Sequence, residues 1–141
     1  MESTSKRKTQ MTEEKIDLVN HPAHYEKYRI VLEPVDLTET LPHPLASAVE
    51  YILRSPYKGS EKLDIKKAIW WLNRYRDSRC AGFEDMLPPR TATMMDLFRY
   101  KCETLSFLVI RDEDNLFVTS ETINRTIEKL EKRIAEIEKD D

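Results

Sequence analysis

Glycine is scarce in this chain, whose 141 residues include only Gly59 and Gly82. The phosphate-binding loops GxxxxGK[ST] and GxGxxG both require several glycines, because they bring backbone N–H groups close to a phosphate. Neither loop can be formed by this sequence. If the chain binds a nucleotide, its phosphate ligands must be side chains or the N–H groups of a helix N-terminus.

Cysteine is equally scarce, since Cys80 and Cys102 make neither a disulfide framework nor a zinc-binding pattern. No apolar stretch is long enough for the core of a secretion signal or for a membrane span. We therefore expect a reduced, cytoplasmic protein without a membrane partner. The formal charge of −3 gives no overall attraction to nucleic acid, so any anion site must be local.

The sequence pattern predicts a mainly α-helical fold. Residues 1–17 mix charged and small polar groups, which is typical of a disordered tail. The prolines that follow restrict the chain to turns and at most one short helix, beginning near Pro34. We then predict an antiparallel helical hairpin, formed by a helix over 44–55 and a second helix over 61–80 with Ser60 as its N-cap.

The second half of the chain predicts a separate helical hairpin. Residues 81–90, with paired prolines, are predicted to be a linker between a core over 18–80 and a C-terminal unit over 91–141. Apolar residues at spacings of three and four predict a third helix over 91–111. The pattern contains little that is typical of β-strands.

The predicted fourth helix, from Ser120 to Lys139, places apolar residues in a 4-3-4-3 heptad rhythm. Two heptads are too short to be stable alone. We therefore expect this helix to pack on the third helix, on the first hairpin or on another copy of the chain, and we interpret the C-terminal hairpin as an oligomerisation or partner-binding element with coiled-coil character.

Two of the three histidines are concentrated in the sequence HPAHY, which contains His21, His24 and Tyr25. Zinc needs three or four ligands, and this segment supplies two, so the sequence predicts no metal site. Because Pro22 fixes the backbone between the imidazoles, the pair suits contact with a bound anion or base. The same residues are equally suited to holding a turn against the helical hairpin.

A cluster of cations lies at the end of the first predicted helix and along the second. Arg54 and Lys58 stand where the first helix ends, a position that the helix macrodipole favours for any cation. With Lys67 they would also suit a phosphate. Adjacent tryptophans cannot point the same way, so one of Trp70 and Trp71 should be in the core. The other is free to stack on a base or on a second subunit.

These segments, VNHPAHY, LEPVD, AVEYILRSPYKG and LDIKKAIWWLNRY, together resemble a bacteriophage domain family of unknown function that is commonly labelled phage nucleotide kinase. The family pattern is HPxHY, then YxxRxxxK, then DLxKAxxYL, and the resemblance covers about residues 18–77. The matching residues are His21, Pro22, His24, Tyr25, Glu33, Asp36, Tyr51, Arg54, Lys58, Asp64, Lys67 and Ala68.

The resemblance implies a compact helical core, nucleotide binding without a P-loop, and a homo-oligomer in the cytoplasm of an infected bacterium. It implies phosphoryl transfer from a nucleoside triphosphate to a deoxynucleoside monophosphate, with Mg²⁺ accompanying ATP. The catalytic residues would be Arg54, Lys58 and Lys67, which can neutralise the transferred group. The nucleotide-binding residues would be His21, His24, Tyr25, Tyr51, Arg54, Lys58, Lys67 and Trp70.

The sequence is also compatible with two alternatives to a kinase. A non-catalytic protein could use the same cations to sequester a host signalling nucleotide in an anti-defence role. Glu50, which stands where the family pattern usually has a lysine, favours this alternative. The other alternative is an inhibitor that binds a host protein through the C-terminal hairpin.

Overall fold

A computed structural model describes residues 32–57, 59–99 and 102–140. The segment Pro34–Asp141 forms one compact unit, to which the following description applies. The prediction of a mainly α-helical fold is confirmed. The α-helices among the described residues are α1 (Pro34–Thr38), α2 (His43–Arg54), α3 (Glu61–Asp77), α4 (Pro89–Arg99) and α5 (Ser120–Asp140). None of them is both long enough and apolar enough to cross a membrane.

The predicted helical hairpin is formed by α2 and α3, which pack against each other. Pro44 lies in the first turn of α2, where its missing N–H costs no hydrogen bond. The buried residues of α2 recur at spacings of three and four, so that one face of the helix covers α3. Ser60 occupies the N-cap position of α3 as predicted, but its hydroxyl makes no capping hydrogen bond.

The structure contains a three-stranded antiparallel sheet in the order β1-β3-β2, which the sequence did not predict. Its strands are β1 (Glu84–Met86), β2 (Ile110–Asp112) and β3 (Asn115–Thr119). The segment predicted as a linker, 81–90, therefore holds a paired strand. The third helix, predicted over 91–111, is confirmed as far as Arg99, the last described residue of α4, and is wrong from Cys102 onward.

The chain after α4 departs from the predicted helix because its apolar spacing also suits another structure. A 3₁₀ helix spans Glu103–Phe107, and three residues per turn bury Leu105 and Leu108 on one side. The polar segment 111–115 reverses the chain and joins β2 to β3, where a third and a fourth helix were predicted to meet. Within that turn Glu113 has a φ of 59°.

The last helix, α5, matches its prediction and packs on α3 and on the 3₁₀ helix of the same chain. Its start is fixed by a reciprocal pair of bonds: the Thr119 N–H donates to the Thr122 hydroxyl at 2.9 Å, and the Thr122 N–H donates to the Thr119 hydroxyl at 3.1 Å. Ile123, Ile127 and Leu130 of the heptad pattern are buried.

A polar cluster of Tyr75, Arg79 and Asp85 joins the end of α3 to β1. The Tyr75 hydroxyl donates to Asp85 Oδ2, and an Arg79 Nη2 lies 2.8 Å from the same oxygen. Burial, followed by the bond to Asp85, raises the pKa of Tyr75. Burial would raise the pKa of Asp85, but hydrogen bonds from Arg79 and Tyr75 outweigh it and hold that pKa below its usual value. The cluster therefore stabilises the sheet against the hairpin.

Candidate anion-binding site

Four of the predicted site residues lie in the described structure, all of them on the α2–α3 hairpin. Tyr51 and Arg54 belong to the last turn of α2, whereas Lys67 and Trp70 belong to α3. The other predicted residues are His21, His24, Tyr25 and Lys58, which lie outside the described residues. We define the anion site as Tyr51, Arg54 and Lys67.

Arg54 is held by a buried carboxylate. Its Nε lies 3.4 Å from Asp64 Oδ2, and Asp64 is only 3% exposed. Asp64 lies in the first turn of α3, where the positive end of the helix macrodipole favours a negative charge. Within the described part of the chain, Asp64 Oδ2 accepts no hydrogen bond, so Arg54 is its nearest compensation.

The aromatic ring of Tyr51 lies next to both cations of the site. The Arg54 Cζ is 5.4 Å from the ring centroid, and the Lys67 Nζ is 5.5 Å from it. Both distances are within the range of a cation–π interaction. Arg54 of α2 and Lys67 of α3 therefore both contact the ring of Tyr51, which brings the two cations close together.

Among the described residues, the cations of the site outnumber the carboxylates next to them. Asp64 compensates Arg54 through Nε, which leaves the two terminal nitrogens of the guanidinium without a side-chain partner among the described residues. Over the same residues, no carboxylate lies within 4.0 Å of the Lys67 ammonium. Among the described residues, Asp64 is thus paired with Arg54, and the charge of Lys67 has no carboxylate partner. The arrangement suits an anion from solution, and the planar guanidinium favours one that accepts two parallel hydrogen bonds, such as a phosphate.

Trp70 lies beside Lys67 on the surface of α3, three residues further along, and is 58% exposed. Its ring meets the edge of Trp71 at a centroid distance of 4.9 Å. Trp71 in turn packs edge-on against His43, with centroids 5.2 Å apart. Trp71 is the more buried of the two but is not in the core, so a prediction of one core tryptophan is only partly correct. Trp70 is the ring that can stack on a ligand.

A shallow groove of about 470 Å³ lies beside the start of α3 and is lined by Gly59, Ser60, Glu61, Lys62, Leu63, Lys66 and Ile137. Arg54 and Lys67 do not line it. Across the groove α3 is tied to α5, because Arg133 binds both carboxylate oxygens of Glu61 at 2.7 and 3.0 Å. The groove is therefore separate from the anion site.

No group of three or more histidine, cysteine, aspartate or glutamate side chains suited to a metal ion occurs within the ranges that the structure describes. The HPAHY histidines are outside those ranges.

Asp64 is the site residue that sequence reasoning did not assign to binding. It matched the family pattern, but its role depends on burial next to Arg54, which spacing alone does not give. The available signal was its position: a carboxylate beside Ile65 and four residues before Ala68, both buried, stands at the edge of an apolar helix face.

A sequence model of the family DUF3310, described as a protein of unknown function, matches residues 19–73. The match contains the anion site, Asp64 and Trp70, and ends within α3. It supports the resemblance to a domain family of unknown function over nearly the residues proposed from the sequence. Neither the curated proteins nor the solved structures contain a match to this chain.

Proposed function

We propose that this protein binds a nucleotide, with the phosphate groups at the anion site and the base against Trp70. The observation that carries the proposal is the unbalanced cation pair. Arg54 Nε forms an ion pair with buried Asp64 at 3.4 Å, while the terminal nitrogens of Arg54 and the Lys67 ammonium have no carboxylate partner among the described residues. A site of this kind binds a phosphate without P-loop glycines.

The two contacts that Arg54 already makes on its own chain support recognition of phosphate rather than a general attraction to anions. An exposed arginine samples many rotamers, and ordering it on binding costs free energy. Arg54 is already held by Asp64 on one side and by the Tyr51 ring on another. Less rotamer entropy is therefore lost when a phosphate accepts hydrogen bonds from its terminal nitrogens.

The exposed ring of Trp70 supports a nucleotide rather than inorganic phosphate. Stacking of a base on an aromatic side chain contributes about 1–3 kcal/mol. Trp70 lies about 4.5 Å along the helix axis from Lys67, given the rise of an α-helix. A phosphate on Lys67 and a base on Trp70 are thus both within the reach of one nucleotide.

The family resemblance extends the proposal to phosphoryl transfer between ATP and a deoxynucleoside monophosphate. In such a reaction Arg54 and Lys67 would stabilise the charge of the transferred group, a contribution that depends on positioned cations. Sequestration of a nucleotide without turnover uses the same contacts, and Glu50, exposed on α2, favours this second candidate. Both candidates require nucleotide binding at the anion site.

The test is a titration of the protein with ATP, deoxynucleoside monophosphates and inorganic phosphate, followed by calorimetry and by tryptophan fluorescence. We expect nucleotides to bind more tightly than inorganic phosphate and to quench Trp70. Arg54→Gln should weaken nucleotide binding at least tenfold. Arg125→Gln, which removes an exposed arginine from α5, is the matched control and should bind normally.

Because Arg54→Gln leaves Asp64 unpaired, the double variant Arg54→Gln, Asp64→Asn provides a second measurement in which neither charge remains. If either variant is folded and binds nucleotide as the wild type does, the proposal is wrong. Chromatography after incubation with ATP, Mg²⁺ and a deoxynucleoside monophosphate separates the two candidates. New diphosphate identifies a kinase, whereas bound nucleotide that is recovered unchanged identifies a sequestering protein.

A further inference from the structure

The three-stranded sheet has a covered face and a free face. Leu116 and Val118 of β3 are fully buried, so their side chains point towards the helices. Because side chains alternate along a strand, Phe117 and its neighbours two residues away point to the opposite face. Cross-strand partners share a face, which adds Met86 and Ile110 to it, since both are paired with Phe117.

These residues form a continuous apolar row on the free face, which we call the outer sheet face. The row is Met86, Phe117 and Ile110, one residue from each strand. Met86 is 59% exposed and Ile110 is 46% exposed. Two strand spacings make the row about 9.5 Å long.

The charged strand residues on this face are both negative. Glu84 lies on the same face two residues before Met86, and Asp112 lies two residues after Ile110. Arg111 is on the covered face and is occupied by Asp96 of α4, at 2.7 Å and 2.9 Å. The outer sheet face therefore combines an apolar centre with a carboxylate at two of its edges, and no strand residue on it is a cation.

The exposed side of α3 has the complementary composition. Leu63, Lys67, Trp70 and Arg74 recur at i, i+4, i+7 and i+11, which aligns them in one stripe along the helix. We call it the α3 stripe, and it lies opposite the buried face of the helix. Leu63 is 51% exposed, and its distance from Trp70 along the axis is about 10 Å. The two apolar residues of the stripe are thus about as far apart as the apolar row is long, and the stripe carries cations instead of carboxylates.

We infer that the α3 stripe of one copy docks on the outer sheet face of a second copy of this chain. Apolar residues then cover apolar residues, with Lys67 and Arg74 meeting Glu84 and Asp112. A second copy is the occupant that the charges favour, because one chain carries both complementary surfaces. Two outer sheet faces would instead place carboxylates against carboxylates.

The contact is intermolecular, because both surfaces are exposed within the same chain. Two different surfaces make a heterologous contact, which produces a closed ring or an open filament rather than a two-fold dimer. A row of three residues against a stripe of four is smaller than a standard stable interface. We therefore expect assembly that increases with concentration rather than a permanent oligomer.

The experiment is sedimentation of the full chain without nucleotide, from low micromolar to near millimolar concentration. Because no nucleotide is present, the result does not depend on whether the proposed function is correct. We expect the average mass of the wild type to rise with concentration. The sheet variant Glu84→Lys, Asp112→Lys and the stripe variant Lys67→Glu, Arg74→Glu should each remain monomeric.

An equimolar mixture of the sheet variant and the stripe variant should associate again, because each then offers the charge that the other lacks. The double variant Glu128→Lys, Glu131→Lys is a matched control for the sheet variant, because it makes the same change in net charge at exposed positions of α5. It should assemble as the wild type does. Circular dichroism verifies that each variant is folded. The inference is wrong if the wild type stays monomeric throughout, if the control abolishes assembly, or if the mixture of folded variants fails to associate.

Discussion

Replacement of Arg54 by glutamine tests the ion pair on which the proposed anion site depends. The substitution removes the cation that lies 3.4 Å from Asp64 and leaves a carboxylate that is 4% exposed without its compensating charge. At this distance the Coulomb attraction is about 5 kcal/mol for an effective dielectric constant of about 20, and about 1 kcal/mol in bulk water. The true contribution lies between these limits.

Because the Arg54 side chain is partly exposed, we expect the ion pair to contribute a free energy near the lower of these limits. Loss of one partner from a fully buried pair costs about 3–5 kcal/mol. The Arg54 side chain is 44% exposed, however, so solvent screens the pair and we expect a loss of about 2 kcal/mol in the free energy of unfolding. For a urea dependence of about 2 kcal/mol per molar, the midpoint should fall by about 1 M.

Urea denaturation followed by circular dichroism measures this shift. Adding Asp64→Asn to Arg54→Gln removes the buried carboxylate that has lost its cation, and should recover part of the lost stability. Arg125→Gln is again the control; it loses only a long, exposed hydrogen bond to the Phe107 carbonyl at 3.4 Å, so its midpoint should fall much less than that of Arg54→Gln. If the midpoints of Arg54→Gln and the wild type coincide, Asp64 is compensated by something other than Arg54, and the reasoning about a fixed guanidinium is refuted.

Three further substitutions test the elements around the hairpin. Asp85→Asn should make the stability of the protein depend less on pH on the acid side. The pKa of Asp85 is lowered in the folded state, so its charge stabilises the fold above the unfolded-state pKa, and this contribution is lost as the pH falls through the folded-state pKa. If the variant and the wild type lose stability equally in acid, this reasoning is wrong. Glu113→Gly should raise the thermal midpoint through a gain of up to about 1 kcal/mol, since glycine adopts a positive φ without steric cost; a lower midpoint would oppose it. Thr122→Ala should cost about 1 kcal/mol by removing the reciprocal cap of α5, whereas the exposed Thr93→Ala should cost less; equal losses in urea would argue against the cap.

The helical hairpin could be predicted because its signals are local. Pro44 at the start of α2, the glycine and serine before α3, and the spacing of apolar residues each act within a few positions of the chain. The start of α5 at Ser120 was found in the same way. Bonds between Thr119 and Thr122 that fix this start also join residues close in sequence.

The sheet could not be predicted because its signal is distant. A strand such as Glu84–Met86 is only three residues long, and no alternation can be recognised over so few positions. It becomes a strand by pairing with β3, more than thirty residues later. The turn after β2 places Glu113 at a positive φ. A glycine at this position would have indicated a β-hairpin, but the sequence has none there.

The candidate site divides in the same way. Arg54 and Lys67 were found from their positions on predicted helices, and the structure brings both to the ring of Tyr51. The part played by Asp64 depends on how deeply the start of α3 is buried against the end of α2. That depth is a property of the packed hairpin, and no spacing within either helix specifies it.

Lys67 and Trp70 belong both to the proposed nucleotide site and to the α3 stripe, so the two proposals have a joint consequence. A bound nucleotide would cancel the charge of Lys67 and cover the ring of Trp70, which removes half of the stripe from the contact with a second copy. Linkage requires the effect to be reciprocal: if nucleotide weakens assembly by some factor, assembly weakens nucleotide binding by the same factor.

Sedimentation with and without saturating ATP measures one side of this linkage, and calorimetry at low and high protein concentration measures the other. We expect nucleotide to lower the average mass of the wild type, and the apparent affinity for nucleotide to fall as protein concentration rises. The sheet variant, whose stripe is intact but which cannot assemble, should bind nucleotide with an affinity that does not depend on its own concentration. If the protein both binds nucleotide and assembles, but nucleotide leaves assembly unchanged, Lys67 and Trp70 do not take part in both contacts. Either the nucleotide site or the assembly surface then lies elsewhere on the chain.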